Sequence, residues 1–407
     1  MAFNVTKTPS PTTRNNHLKK MAEENKNQEV KQSGIIKSKS GGSADRFWNP
    51  RIWDGMTMSA WLKLMNSGCW RIAPARVPMF FVVSGLTVSN SILAAIQKLV
   101  YGGKIRKTEL VGEPIFIVGH WRSGTTLLHE YMMRDKQFAC SDTYECFAPT
   151  HFLVSGPIFR PWLKYLMPKK RPMDNMAVGL DRPQEDEFAI CALGMNSPYR
   201  DIAFPNNKPI DEDYLTLRNV SANDRRRWLD SLEYLLKALT VAYQKTIVLK
   251  SPPHTARVKA IRERFPNAKF VHISRDPYTL FPSTVNLWTK LAKTHGLQIP
   301  KGGPVLEEKV VRNFADMYDA FCEDVENIPE GDLCEISYDE LVANPVETLE
   351  RIYKELGLPG FEEKRQEFAD FAATQKNFRK NKFELAPEMK ETLSKRWKKY
   401  FDRYVKN

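Results

Sequence analysis

Residues 114–134, PIFIVGHWRSGTTLLHEYMMR, run from an apolar stretch into a glycine-bounded loop and then into a helical pattern that opens on two threonines. Strand, phosphate-cradling loop and helix follow one another in this order in parallel α/β sheets, where the helix N-terminus supplies unpaired N–H groups to an anion. Gly119, Gly124 and Thr126 fall on the pattern G-x-x-x-x-G-K-[ST], but Thr125 stands where the lysine belongs, and the nearest cation is Arg122. Such a loop can hold an oxyanion yet lacks the usual lever on a nucleoside triphosphate. A guanidinium in its place reads planar oxyanions through two parallel hydrogen bonds.

A second stretch, residues 269–288 (KFVHISRDPYTLFPSTVNLW), ends an apolar run at Arg275 and places Ser283 eight residues further on. The pair of motifs, G-x-x-R-S-G-T-T after one strand and R-D-P with a later Ser after another, resembles the sulfotransferases that use 3'-phosphoadenosine 5'-phosphosulfate (PAPS). The resemblance implies that Arg122, Ser123, Gly124, Thr125 and Thr126 bind the 5'-phosphosulfate. It assigns the 3'-phosphate to Arg275 and Ser283, with PAPS as cosubstrate and no metal. It also brings the basic run 375–383, QKNFRKNKF, over the nucleotide, with Lys376, Arg379 and Lys382 as contacts.

Further apolar runs at 246–249 and 333–336 alternate with helical patterns at about 254–264 and 346–356. Alternation of this kind predicts an α/β fold: a P-loop NTPase-like core with a mainly parallel sheet covered by helices on both faces. Ligands then gather beyond the strand carboxyl ends, and Arg122, Lys250 and Arg275 all follow such ends. Around this core, at residues 114–356, the sequence predicts a polar basic arm at 1–45 that stays disordered. It further predicts an aromatic helical lead-in at 46–110, a helical insertion at about 150–243 and a closing basic loop and helix at 357–407. Residues 79–96 are the most apolar window, but Ser84, Thr87, Ser89, Asn90 and Ser91 favour a buried or interfacial amphipathic helix over a lipid-facing span.

Sulfuryl transfer needs a cation at the bridging oxygen and a base for the acceptor. Lys250, closing a strand in VLKSPPHTARV, suits the first role, and the resemblance supports it: the tyrosine-sulfating enzymes carry a Lys at a similar position before F-P-N-A-K-F, which stands here at 265–270. For the base, related glycan- and tyrosine-sulfating enzymes imply a Glu some twenty residues after the loop. Glu145, 23 residues beyond Arg122, matches best, and Glu185 in DRPQEDEF is the rival. Those carboxylates also suit a helix N-terminus without any catalytic role. Arg122 joins Lys250 and the chosen Glu as the catalytic set.

A formal charge of +13 over 407 residues points to an anionic partner, while no finger, RNA-binding or basic-zipper pattern argues for nucleic acid. The six scattered cysteines form no C-x-x-C pair and suit a reducing, cytoplasmic setting. Peripheral membrane contact stays open, and the acceptor, whether small molecule, lipid or glycan, is not legible. Two rivals remain: a nucleotide kinase or NTPase with a degenerate loop, and a catalytically silent anion-binding protein at a membrane surface.

Overall fold

The computed structural model describes residues 35–36, 50–163, 179–375 and 384–405. The predicted arm at 1–45, apart from 35–36, and Lys376, Arg379 and Lys382 lie outside the described residues. The chain opens with helix α1 (Met58–Ser67) and the long helix α2 (Val77–Lys107). The core then follows as β1 (Ile115–Val118), α3 (Thr125–Met132) and the two-residue strand β2 (Phe138–Ala139). Next come α4 (Thr143–Phe147), α5 (Phe152–Leu163), α6 (Asp186–Ala192) and α7 (Ala222–Tyr243). The second half holds β3 (Thr246–Lys250), α8 (Val258–Arg264), β4 (Lys269–Ser274), α9 (Pro277–His295), α10 (Pro304–Val325) and β5 (Leu333–Ser337). Helix α11 (Pro345–Glu355) covers one face after β5.

The sheet has five strands, all parallel, in the order β2-β3-β1-β4-β5. Its central strand is buried on both faces, which is why Ile115–Val118 reads as an unbroken apolar run. Successive residues serve opposite cores. Ile115, Ile117, Val248, Val271 and Ile273 pack with Leu128, Leu349 and Ile352, whereas Phe116, Leu249 and Phe270 pack with Leu232, Leu236 and Phe314. The predicted parallel α/β sheet is therefore present, with one strand more than the sequence shows. That strand, Phe138–Ala139, is two residues long on the edge beside β3, too short to display any periodicity.

Register decides where the chemistry collects. Ile117 lies opposite Lys250 on one side, and Val118 opposite His272 on the other. The loop after β1, the end of β3 and the residue following β4 thus emerge together at the carboxyl edge, the crevice of an open α/β sheet.

Candidate active site

The loop after β1 cannot be built from ordinary residues at its two glycines. Gly119 has φ +145° and Gly124 has φ +112°, and a Cβ on Gly119 would come within 2.6 Å of the Ile273 carbonyl oxygen. A Cβ on Gly124 would strike the Tyr338 ring. Between them Arg122 holds φ 72°, a left-handed conformation costly for a long side chain and tolerated where surrounding structure enforces it. The Thr255 hydroxyl supports this arrangement by accepting the Gly119 N–H at 2.7 Å. Helix α3 then starts at Gly124 with no side-chain cap, and the buried Ser123 hydroxyl has no partner within the protein. An uncapped helix start beside a buried hydroxyl without a protein partner turns its donors towards an anion, so the residues present fit a phosphosulfate.

The predicted second cradle adjoins the first. Arg122 Nε donates to Ser283 Oγ at 3.0 Å, and Arg275 Nη1 donates to the Arg122 carbonyl at 2.7 Å. Tyr400 fixes Arg275 from behind: its hydroxyl accepts the Arg275 N–H at 2.8 Å and donates to the Arg275 carbonyl at 2.7 Å. The guanidinium carbon lies 4.2 Å from the Tyr338 ring centroid, and burial holds the Arg275 pKa below its ordinary value. Arg122 thus ties the loop after β1 to Ser283 through its side chain and to Arg275 through its carbonyl.

Lys250 ends β3 almost fully buried and donates to Glu185 Oε1 at 2.9 Å and to Thr126 Oγ1 at 3.4 Å. The other oxygen of Glu185 accepts the Tyr199 hydroxyl, which in turn accepts the Trp121 indole N–H at 2.7 Å. Burial, followed by the charge of Glu185, keeps the Tyr199 proton on its oxygen far beyond the ordinary range. Loop, strand end and insertion are joined through one carboxylate. Tyr199 and Trp121 do not stand out in the sequence, because only the folded chain brings 3₁₀ residues Pro198–Ile202 against the loop.

Glu145 lies elsewhere in the hydrogen-bond network. It is the third residue of α4, where it closes a reciprocal capping box: Asp142 Oδ1 accepts the Glu145 N–H at 2.9 Å and Glu145 Oε2 accepts the Asp142 N–H at 3.0 Å. Its other oxygen takes Arg160 Nη2 at 3.0 Å and the Tyr243 hydroxyl. Burial and the neighbouring Asp142 charge push Glu145 up to about 8. The sequence favours Glu145 as the base; the structure commits its carboxylate to the capping box, Arg160 and Tyr243, and brings Glu185 to Lys250. The spacing D-x-x-E at 142–145, a helix-start signature, was the sequence signal for the capping role.

Asp186 and Glu187, which follow Glu185 in DRPQEDEF, are engaged deeper in the core. Asp186 accepts Ser251 Oγ at 2.9 Å and meets His254 Nε2 at 2.6 Å. Burial pulls its pKa upward, but His254 and these hydrogen bonds outweigh that and hold it below the ordinary carboxylate value. Glu187 forms a fully buried two-point pair with Arg257, at 2.6 and 3.0 Å, beneath the Trp228 ring.

A model of the sulfotransferase family matches residues 114–363, which span the loop, both cradles, Lys250 and β5. The chain belongs to the sulfotransferase family. It is 37% identical over 369 residues to the ω-hydroxy-β-dihydromenaquinone-9 sulfotransferase Stf3 of Mycobacterium bovis, covering 91% of this chain and 95% of the relative. The protein of the same name from Mycobacterium tuberculosis matches to the same extent. Among solved structures, sulfotransferase STF9 of Mycobacterium avium superposes with a TM-score of 0.66 at 16% identity, covering 94% of this chain and 96% of that one. Sulfotransferase STF1 of Mycobacterium tuberculosis gives 0.59 at 16% identity, over 91% and 96%. These two establish the fold across nearly the whole chain, including the lead-in helices. The sulfotransferase is accordingly a transferase that moves a sulfuryl group, which sets aside both rivals, the degenerate nucleotide kinase and the silent anion-binding protein.

Proposed function

We propose that this sulfotransferase transfers the sulfuryl group of PAPS to a hydroxyl carried by an apolar lipid, with Glu185 as general base and Lys250 as the cation at the bridging oxygen. The observation that carries the reading is the contact of Lys250 with both Glu185 and Thr126: it couples a proton acceptor to the start of the anion-binding helix. The reaction is a single in-line displacement. Glu185 accepts the acceptor's proton as its oxygen attacks sulfur; the bond from sulfur to the bridging phosphate oxygen breaks, and 3',5'-diphosphoadenosine departs with that electron pair. Ser123, Thr125, Thr126 and the N–H groups of α3 hold the 5' end, Arg122 offsets its growing charge, and Arg275 with Ser283 orient the 3'-phosphate.

Two supports favour a lipid hydroxyl. The mycobacterial relatives are named for a hydroxylated menaquinone, and the similarity covers nearly the whole length of both chains. Around Glu185 the walls are aromatic: Tyr199 lies 5.2 Å from Phe188 and 5.8 Å from Trp288, ring to ring, and Trp121 lies 5.4 Å from Trp288. Such walls suit an acceptor that is apolar beyond its hydroxyl better than a glycan. The reading sets the enzyme in the cytoplasm with access to a membrane surface.

Incubation with sulfur-labelled PAPS and an extract separated into lipids, glycans and water-soluble metabolites tests this directly. Label is expected in the lipid fraction, at a hydroxyl. Label confined to glycans would overturn the acceptor class, and tight binding of ATP with magnesium in place of PAPS would overturn the donor. In the same assay Arg275→Ala should raise the KM for PAPS about tenfold or more while changing kcat far less, because a 3'-phosphate contact contributes to both ground and transition states.

A further inference from the structure

Helix α2 is 31 residues long, about 46 Å at the helical rise, and its two sides have opposite characters. The side facing the domain carries Ser84, Thr87, Asn90, Ser91 and Gln97, and Ser89 is exposed. Ser84 accepts the Trp61 indole N–H at 2.9 Å, Asn90 donates to the carbonyls of Asp54 and Met56 at 2.6 and 3.0 Å, and Ser91 accepts the Met58 N–H at 2.9 Å. Gln97 donates to Tyr234 at 3.0 Å and accepts the Leu153 N–H at 2.8 Å. The side facing away carries Phe81, Val88, Ile92 and Leu99, spaced by seven, four and seven residues along a single stripe, with Phe81 67% and Leu99 86% exposed. This inverts the usual surface helix, whose apolar stripe faces inward. On the neighbouring α5, Ile158 and Trp162 extend the exposed apolar surface.

The charges within the helix have one sign. Between Arg71 and Lys107 the sequence holds six cations and no carboxylate, and Arg71, Lys98, Lys104, Arg106 and Lys107 are exposed. We infer that α2 is the docking face of the enzyme for an anionic lipid surface, lying in the membrane plane with the Phe81–Val88–Ile92–Leu99 stripe among the acyl chains and its cations at the headgroups. Length and hydropathy alone would let the helix cross a bilayer. Its tethers exclude that orientation: Ser84, Asn90 and Ser91 are hydrogen-bonded to residues 54–61, Gln97 to Tyr234 and the Leu153 N–H, and Ile105 near its end is buried. A helix so fastened cannot enter the hydrocarbon core end-on without drawing charged helix α7 in with it. A second copy of the chain fits less well than lipid, since a two-fold contact across α2 would set this all-cationic border against itself.

The inference stands apart from the identity of the acceptor, and its test does not require turnover. Full-length protein is floated with vesicles of phosphatidylcholine alone or with about one-third phosphatidylglycerol. It is expected to rise with the anionic vesicles and to be released by about 0.5 M salt only in part, because the apolar stripe remains inserted. The combined variant Phe81→Glu, Ile92→Glu, Leu99→Glu should lower partitioning at least about tenfold while leaving 3',5'-diphosphoadenosine affinity and thermal stability as in wild type, since these side chains make little contact with the domain. Lys98→Glu with Lys104→Glu should abolish the preference for anionic over neutral vesicles. Unchanged flotation of the triple variant would overturn the proposal. So would a wild-type dimer in sedimentation that the triple variant dissociates without any vesicle binding, or retention of the protein in membranes through alkaline carbonate washing.

Discussion

Two segments of this sulfotransferase bring carboxylates to the same side of the sheet, and they come to opposite ends. Residues 142–147 and 185–192 touch along their lengths, with a bridge between Asp142 and Pro183. In the first, Asp142 and Glu145 satisfy each other's backbone N–H groups and share Arg160, so both oxygens of Glu145 are committed within its own neighbourhood. In the second, three consecutive carboxylates diverge: Glu185 to Lys250 at the cleft, Asp186 to Ser251 and His254, Glu187 to Arg257. Burial is common to both segments and therefore does not tell them apart. What distinguishes Glu185 is its cation, which also touches the start of the anion-binding helix.

The comparison breaks most directly at the two glutamates. Glu185→Gln should lower kcat about a thousandfold, the scale of a lost general base, with the KM for PAPS nearly unchanged. Glu145→Gln should leave kcat within about threefold, its effect falling on stability through the weakened cap and Arg160 contact. Steady-state kinetics on both proteins, with folding checked by circular dichroism, decides it. A reversed ranking would return the base to Glu145.

Lys250→Met follows in size, with an expected loss of about a hundredfold in kcat, because thioether packing keeps the buried volume while removing the charge beside the bridging oxygen. A smaller effect, about fivefold to tenfold, is expected for Tyr199→Phe, which removes one hydrogen bond to Glu185. Steady-state kinetics on both variants checks the ranking, with the loss expected in kcat.

The sequence carried the local parts of this site and not the distant ones. Arg122, Ser123 and Thr126 were legible because a left-handed turn between two glycines and an uncapped helix start are encoded within eight residues. Lys250 and Arg275 were legible because each sits at the end of an apolar run, and parallel register carries such ends to one edge. The pairing of Lys250 with Glu185 spans 65 residues and depends on where α6 packs against β3, which no local pattern records. Tyr199 is remote for the same reason. Helix α2 shows a different limit: its composition announced an amphipathic element, but which side the polar residues face was settled by backbone groups of residues 54–58 that only the fold supplies.

The smallest effect separates the two segments by the pH dependence of stability. Glu145 is raised from its ordinary 4.5 to about 8 by burial and the adjacent Asp142 charge, so between those values the folded chain holds a proton that the unfolded chain has released. Its contribution to stability therefore declines as pH rises from 4.5 towards 8. Asp186 has the opposite sign. Despite burial, His254 holds it below its ordinary 3.8, so its contribution is fully present above 3.8 and is lost as pH falls through the lower folded value. Urea unfolding of wild type and Glu145→Gln across this range should give a difference, wild type minus variant, that shrinks as pH rises. A difference that stays flat would mean that Arg160 keeps Glu145 ionised throughout; the capping segment and the Asp186 segment would then answer alike to acid, and the contrast between them would rest on the contacts of Glu185 alone.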